Sequence, residues 1–255
     1  MSKTANPTKE AQVNGLFKLG AHFGYDRARQ HPTTKPYIFG YKNRTAIIDL
    51  EKTVDLLDTA KTFAYEAGAR GKTLMLVGGK KEAIVGIRKV AEAADLPYVA
   101  GRWLGGTLTN VEQIRRRITR LNDLKDQKTK GELVKYTKKE RLMIGQEIEE
   151  LEESFGHLGD MKQLPAALFV IDPDQERIAV KEANSAKISV IALANSDCNL
   201  RGVDYPIVGN DSARESIAYF ALEIANAYNQ GKANPQPKAD QLSVGVAPVA
   251  DTVTT

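Results

Sequence analysis

The chain has 255 residues, with 36 basic side chains, 32 acidic side chains and one cysteine, so its formal net charge is +4. This length allows one or two domains with a real core, and the single cysteine excludes an intramolecular disulfide framework and a cysteine-cluster zinc site. No apolar run approaches the roughly 20 residues of a membrane helix, and the polar residues 1–10 are not a secretory signal. The single cysteine is compatible with the cytosol.

Apolar periodicity predicts the elements in chain order. Residues 6–19 predict a helix, residues 20–43 are irregular, and a short strand at 46–50 precedes a long helix. Continuous apolar strands then alternate with helices, and the strands are predicted at 73–77, 98–99, 166–171, 188–193 and 205–208. Strands without polar alternation, separated by helices, are typical of an α/β fold with a parallel sheet covered on both faces.

Residues 110–156 interrupt this alternation. Two narrow apolar stripes, one over 111–124 and one over 144–155, have spacings of three and four residues and are joined by a polar turn. They predict an antiparallel helical hairpin with arms about 25 Å long. Thr137 and Glu140 have the spacing of a capping box at the start of the second arm.

The predicted organisation has four parts. The first part of the α/β domain, which includes the N-terminal segment, covers 1–109, and the hairpin insertion covers 110–156. The second part of the α/β domain covers 157–230. Residues 231–255 are rich in proline and small residues and predict a disordered tail.

Charge is strongly segregated along the chain. Residues 1–52 carry +5 and residues 111–141 carry +6, whereas residues 142–160 carry −6. Two basic regions favour a polyanionic partner on one side of the molecule, although a solvated charged helix is a common alternative. The glutamates of 147–153 lie near the predicted hairpin base, so the tip is expected to stay positive.

The basic side chains of the predicted hairpin are candidates for phosphate contacts, since arginine binds phosphate in bidentate fashion and lysine acts as a point charge. Aromatic residues are nearly absent there, with Tyr136 alone, which argues against base stacking on a single strand and favours folded RNA or a duplex backbone. The candidates are Arg115, Arg116, Arg117, Arg120, Lys125, Lys128, Lys130, Lys135, Lys138, Lys139 and Arg141.

Three other motifs have two interpretations each. The segment 101–110 follows a strand and contains Arg102 and the only tryptophan, Trp103; it is either a ligand loop or a structural turn. Gly78-Gly79-Lys80-Lys81 favours phosphate but lacks the P-loop spacing. Asp172 and Asp174 end a buried strand, as in a hydrolase magnesium site, or else cap the next helix. The histidines and Cys198 show no metal spacing and no nucleophile–base pair, so no metal and no catalytic residue are predicted.

Several ordered stretches resemble the bacterial ribosomal protein S2 family, and the match extends from about residue 16 to residue 231. They include the segments 20–24, 35–40, 47–53, 102–110, 137–140, 164–172 and 209–211. The loop 194–201 departs from the usual pattern of the family.

The resemblance implies a flavodoxin-like three-layer parallel sheet with an inserted helical hairpin. Family members bind small-subunit ribosomal RNA between head and body, neighbour other ribosomal proteins, and help dock the mRNA-binding ribosomal protein S1. They are cytoplasmic and ribosome-bound, and they are not enzymes, so no cofactor and no small-molecule substrate are expected. The implied contact surface adds six residues to the hairpin set: Arg102, Trp103, His22, Lys35, Lys42 and Arg44.

The hypothesis from sequence is therefore a structural, RNA-binding constituent of the small ribosomal subunit. One alternative is a magnesium-dependent phosphohydrolase that uses Asp172 and Asp174. The other is a protein-interaction module that acts through the hairpin.

Overall fold

The structure is a computed structural model that describes residues 7–155, 157–158 and 164–235. Its strands are β1 (Phe23–Asp26), β2 (Ile38–Lys42), β3 (Thr45–Ile48), β4 (Leu74–Val77), β5 (Tyr98–Val99), β6 (Ala167–Ile171), β7 (Ser189–Ala194) and β8 (Tyr205–Val208). Its α-helices are α1 (Pro7–Lys18), α2 (Leu50–Ala69), α3 (Lys81–Ala94), α4 (Val111–Thr129), α5 (Lys138–Phe155), α6 (Arg177–Ser185) and α7 (Arg214–Ala233).

Five of these strands form one parallel sheet in the order β5-β4-β6-β7-β8. Counted along the chain within this sheet, the order is 2-1-3-4-5, which is the flavodoxin-like order. The predicted α/β class with a parallel sheet is confirmed. Residues ending β4 and β6 lie beside each other at the point where the strand order reverses.

Both faces of the sheet are covered, because successive side chains of a strand point to opposite faces. Leu74, Leu76 and Phe169 pack with helices α2, α3 and α7 in the larger core. Met75 and Val77 point the other way and pack with α6 and with the first turns of α4. Uninterrupted apolar strands are what a sheet buried on both faces requires.

The N-terminal region contains a second sheet that the sequence did not predict. Strands β1, β2 and β3 pair antiparallel in the order β1-β3-β2, so the segment predicted as irregular is partly a sheet. These strands have only four or five residues, and both pairings contain a register shift, so the pattern of alternation is too short to recognise.

The predicted strands of the large sheet match the observed ones. Asp211 and Ser212 are residue types that commonly cap a helix N-terminus, but α7 begins at Arg214 with no side-chain cap. The Asp211 carboxylate instead accepts hydrogen bonds from Lys80 and Asn195. At its other end α7 reaches Ala233, and the part of the predicted tail from residue 236 onward lies outside the described residues.

A buried carboxylate fixes the turn that leads into α4. Glu182 of α6 is only 9 % exposed, and its two oxygens accept from the backbone N–H groups of Gly106 and Leu108, at 2.7 and 3.0 Å. Gly106 has a φ of 95°, which favours glycine. The structural-turn interpretation of segment 101–110 therefore has a physical basis in this structure.

We expect Glu182→Ala to lower the free energy of unfolding by about 2 to 4 kcal/mol, because two inward-facing N–H donors lose their acceptor. Denaturant unfolding measures the loss. Lys181→Ala, at the exposed neighbouring position, is the matched control and should change stability by less than about 0.5 kcal/mol. Equal stability of Glu182→Ala and the control would contradict this account of the turn.

Candidate nucleic-acid interface

Helices α4 and α5, the helical insertion, pack through a small apolar cluster of their own. Leu121 and Leu124 of α4 meet Ile148 and Leu151 of α5, and all four are buried. The capping box is confirmed, since the N–H of Thr137 donates to the Glu140 carboxylate and the N–H of Glu140 donates to the Thr137 hydroxyl. The antiparallel course of the two helices remains a prediction.

The predicted cations of the helical insertion lie on its surface. Ten of the eleven are exposed and Lys125 is half-buried. Apolar positions of the same helices face inward. The helical repeat of 3.6 residues therefore places the apolar stripes on one face of each helix and the basic residues on the other. Exposure is the first requirement for contact with a large polyanion.

Three of these cations already have acidic partners. Arg116 pairs with Glu112 at 2.5 Å, Arg120 with Glu147 at 3.0 Å and Lys125 with Glu152 at 2.7 Å. Such solvent-exposed pairs contribute about 0–1 kcal/mol each, so a phosphate can replace the carboxylate at little cost. These residues are weaker candidates than cations with no carboxylate beside them.

A second group of cations has no ion pair within the described residues. Lys135 lies over the Tyr136 ring, with its Nζ 5.5 Å from the ring centroid. The others are exposed residues near the end of α4 and the start of α5, Lys128, Lys130, Lys138, Lys139 and Arg141, with Arg117 further back on α4. This unpaired group is the strongest candidate for phosphate contact.

The N-terminal sheet supplies a second basic region. Lys35, Lys42 and Arg44 are exposed, as the sequence reasoning required. That reasoning missed Arg27 and Arg29, which are also exposed and lie over aromatic rings. The signal was present in the sequence, because only Asp26 is acidic between residues 20 and 48, but rings cannot be placed over guanidinium groups without the fold.

Two predicted contact residues are buried. Trp103 is only 5 % exposed and packs in the core beneath α4, whereas the neighbouring Arg102 is exposed. His22 is 8 % exposed and its ring lies between those of Phe17 and Phe23. Both rings pack among other side chains and do not lie on the surface. Burial also lowers the pKa of His22, so His22 does not supply a cation for phosphate.

The predicted magnesium-site residues have structural partners. Asp172 accepts from the N–H groups of Asp174 and Gln175, which is the capping interpretation of this motif. Its other oxygen lies 3.2 Å from the Nζ of Lys80, and Asp211 lies 2.9 Å from the same Nζ. Burial is the largest single effect and favours neutral Lys80, but Asp211, Tyr25 and Asp172 together outweigh it and raise the pKa of Lys80, which stays charged.

Lys80, Asp172 and Asp211, the switch-point cluster, stand where sheets of this order usually bind ligands. Cys198 contributes a sulfur to the same group, and its donor atom lies within 4.8 Å of those of the two aspartates. Burial strongly raises the pKa of the Cys198 thiol, which keeps it protonated and a poor metal ligand. Lys80 supplies the positive charge that the two carboxylates need.

The N-terminal segment covers this cluster. The Tyr25 hydroxyl accepts from Lys80 at 3.1 Å, and the Tyr25 N–H donates to the Ser196 hydroxyl. Thr34 is fully buried and donates its hydroxyl to the Ser196 carbonyl. The usual ligand crevice is therefore filled by side chains of this chain, and the exposed cations lie elsewhere.

These features describe a structural α/β protein whose surplus positive charge is carried by a helical insertion and an N-terminal sheet. The family described as ribosomal protein S2 matches residues 16–231. Three similar proteins, each named "Small ribosomal subunit protein uS2", come from a Roseiflexus species, Pseudoalteromonas translucida and Sulfurimonas denitrificans. The Roseiflexus protein is 43 % identical over 90 % of this chain and 87 % of its own length. The Pseudoalteromonas protein is 42 % identical over 87 % of this chain and 92 % of its own length. The Sulfurimonas protein is 40 % identical over 90 % of this chain and 89 % of its own length.

The chain belongs to the ribosomal protein S2 family. It is a structural protein of the ribosome and not an enzyme, so the alternative prediction of a phosphohydrolase is wrong. Among the helices of the described residues, none is long and apolar enough to cross a membrane.

We expect Lys80→Met to lower the free energy of unfolding by about 3 to 5 kcal/mol, because it leaves the fully buried Asp211 carboxylate without a cation. Lys81→Met removes the adjacent, exposed lysine and should be nearly neutral. The double variant Lys80→Met with Asp211→Asn should recover part of the loss. Urea unfolding of the variants measures these differences, and a neutral Lys80→Met would refute the role of the cluster.

Glu176 predicts a pH dependence of stability. Burial raises its pKa to about 7 from 4.5, so between these values the folded state binds the proton that the unfolded chain has released. Its contribution to stability is present below pH 4.5 and is lost as the pH rises through 7. We expect Glu176→Gln, which keeps an acceptor for the Gly79 N–H, to be more stable than the wild type above pH 7, by about 1 to 3 kcal/mol.

Unfolding curves at several pH values measure the Glu176 effect. Glu215→Gln, at an exposed position of α7, is the control and should follow the wild type at every pH. A constant difference between Glu176→Gln and the wild type from pH 4.5 to pH 8 would contradict the raised pKa.

Proposed function

We propose that this chain is a constituent of the small ribosomal subunit and binds its 16S-type ribosomal RNA through the helical insertion and the N-terminal sheet. The small-subunit role follows from the family and from the names of the similar proteins. The observation that supports RNA contact is the group of exposed, unpaired cations around the junction of α4 and α5.

The charge of the insertion suits the backbone of folded RNA. Residues 111–141 carry +6, and the side chains of the unpaired cations extend into solvent. Phosphate neutralisation releases counterions, so affinity falls as salt rises, by about 0.7 to 0.9 log units per log unit of salt for each phosphate. With Tyr136 the only aromatic residue of α4, α5 and their junction apart from Phe155, base stacking contributes little there.

The finer placement is part of the same proposal. We infer from the sequence resemblance that the chain lies between the head and the body of the subunit and contacts neighbouring ribosomal proteins. The same resemblance supports docking of the mRNA-binding ribosomal protein S1 and a cytoplasmic, ribosome-bound location. The acidic residues Glu149 and Glu150 are exposed on α5 and suit a basic protein neighbour.

A protein-interaction role for the insertion has an observation of its own. Leu142 and Met143 of α5 are 64 % and 59 % exposed, beside the unpaired Lys139 and Arg141. Exposed apolar pairs rimmed by charge are common at protein interfaces. Capture of small-subunit proteins by this chain in nuclease-treated extract, lost in Leu142→Ala with Met143→Ala, would support this second function.

We expect the triple variant Arg115→Glu, Arg116→Glu and Arg117→Glu to weaken binding to small-subunit RNA by at least tenfold and to reduce the salt dependence, since three exposed cations become anions on one arm. Far-ultraviolet circular dichroism should be unchanged, because these side chains do not enter the core. Filter binding at several salt concentrations measures the affinity and its slope.

The matched control reverses three exposed lysines that lie on the helices of the opposite sheet face, Lys81, Lys89 and Lys232. It has the same change in net charge, so a general loss of attraction would affect both triple variants equally. Sedimentation of tagged copies in lysate, at low and high magnesium, then tests assembly. If the arginine variant enters small subunits as well as the control does, the assignment of the insertion to RNA is wrong.

A further inference from the structure

The N-terminal sheet carries a surface that differs in chemistry from the helical insertion. Phe39 of β2 is 81 % exposed, at the point where the β2–β3 pairing shifts register. Tyr41 follows two residues later, about 7 Å along the strand, and is 43 % exposed. Register shifts of this kind re-aim side chains, and here the exposed side chain is a large aromatic ring.

Four exposed cations lie on the strands of the N-terminal sheet or directly beside them in the chain. The guanidinium of Arg27 lies over the Tyr41 ring, 4.9 Å from its centroid, and the Arg27 N–H donates to the Arg44 carbonyl. Arg29, Lys42 and Arg44 are exposed, and none of the four has an ion pair within the part of the chain that the structure describes. The only nearby acid in the sequence, Asp26, accepts from the Ala28 N–H.

The position of Arg44 points to use of its charge. The two-residue connection from β2 to β3 is Asn43-Arg44, and both residues have positive φ, 47° and 68°. Such turns favour Asn-Gly, because a side chain at the second position is strained. An arginine held in a conformation that suits glycine, with its side chain in solvent, indicates a selected function rather than a structural need.

We propose that Phe39, Tyr41, Arg27 and Arg44, the aromatic–basic patch, bind unpaired nucleotides of RNA by stacking on Phe39 while the cations hold the backbone. The proposal rests on the proposed function and assigns a different RNA form to each surface. Exposed rings beside unpaired arginines are the combination that binds single strands, and the insertion offers cations with almost no rings.

A protein partner fits this surface less well. Phe39 is the most exposed ring of the N-terminal sheet, at 81 % against 49 % for Phe23 and 43 % for Tyr41, and the exposed cations beside it have no ion pair within the described residues. Protein interfaces of ordinary size have a larger apolar core, whereas a nucleotide covers one ring and one or two cations. Substitution of Phe39 by leucine distinguishes the two kinds of partner, because a protein contact tolerates leucine and base stacking does not.

The test measures the affinity of the full-length chain for two probes, an oligouridylate of about twelve nucleotides and an RNA duplex of similar length. We expect Phe39→Leu to weaken oligouridylate binding by about tenfold and Phe39→Trp to retain it, with duplex binding unchanged in both. Arg44→Gly should weaken oligouridylate binding about threefold and lower its salt slope by about one, without loss of stability.

The outcomes distinguish this inference from the proposed function. Phe39→Leu with the affinity of the wild type for oligouridylate would overturn the stacking role, and it would do so whether or not the variant enters small subunits. Weakened duplex binding in Phe39→Leu equal to the single-strand loss would overturn the division between the two surfaces. If the wild type binds neither probe, the proposed RNA-binding function itself fails, while the arginine triple variant tests that function independently of Phe39.

Discussion

The ion pairing of Lys80 with Asp172 and Asp211 is the interaction on which the arrangement of this molecule depends. It joins the ends of three strands of the large sheet, β4, β6 and β8, and through Tyr25 it also holds the N-terminal segment. Two carboxylates in so enclosed a place require a cation, because an unpaired buried charge is very costly. The sheet edge and the N-terminal segment therefore form one unit.

Filling that edge changes what the fold is able to do. In sheets of flavodoxin-like order the crevice at the strand ends is the usual ligand site, yet here Tyr25, Thr34 and Ser196 occupy it. Fold does not determine function, and this chain illustrates the point physically. The hydrogen bonds of Tyr25 and Thr34 to Ser196 fill the crevice from inside, while the cations of the same N-terminal segment lie exposed.

The sequence predicted the large sheet well because its signal is local. Continuous apolar strands and helical spacing are properties of neighbouring residues, and the predicted strands at 98–99 and 205–208 match the structure. Contacts between distant residues carry no such signal. Gly78-Gly79-Lys80-Lys81 was considered as a phosphate loop, and its true partners, Asp172 and Asp211, lie about 90 and 130 residues away. The burial of Trp103 and His22 depends on packing of the same kind.

The candidate interface also has a part that the sequence predicts and a part that depends on distant contacts. Exposure of its cations followed from helical periodicity, whereas their pairing depends on how two helices meet. Arg120 and Lys125 find Glu147 and Glu152, each 27 residues further along the chain, and both pairs remain substantially exposed. Pairs of this kind hold the side chains near one another without neutralising them strongly. The two pairs join α4 to α5 and leave Lys128, Lys130, Lys138, Lys139 and Arg141 without an ion pair within the described residues, so these are the cations most readily available to phosphate.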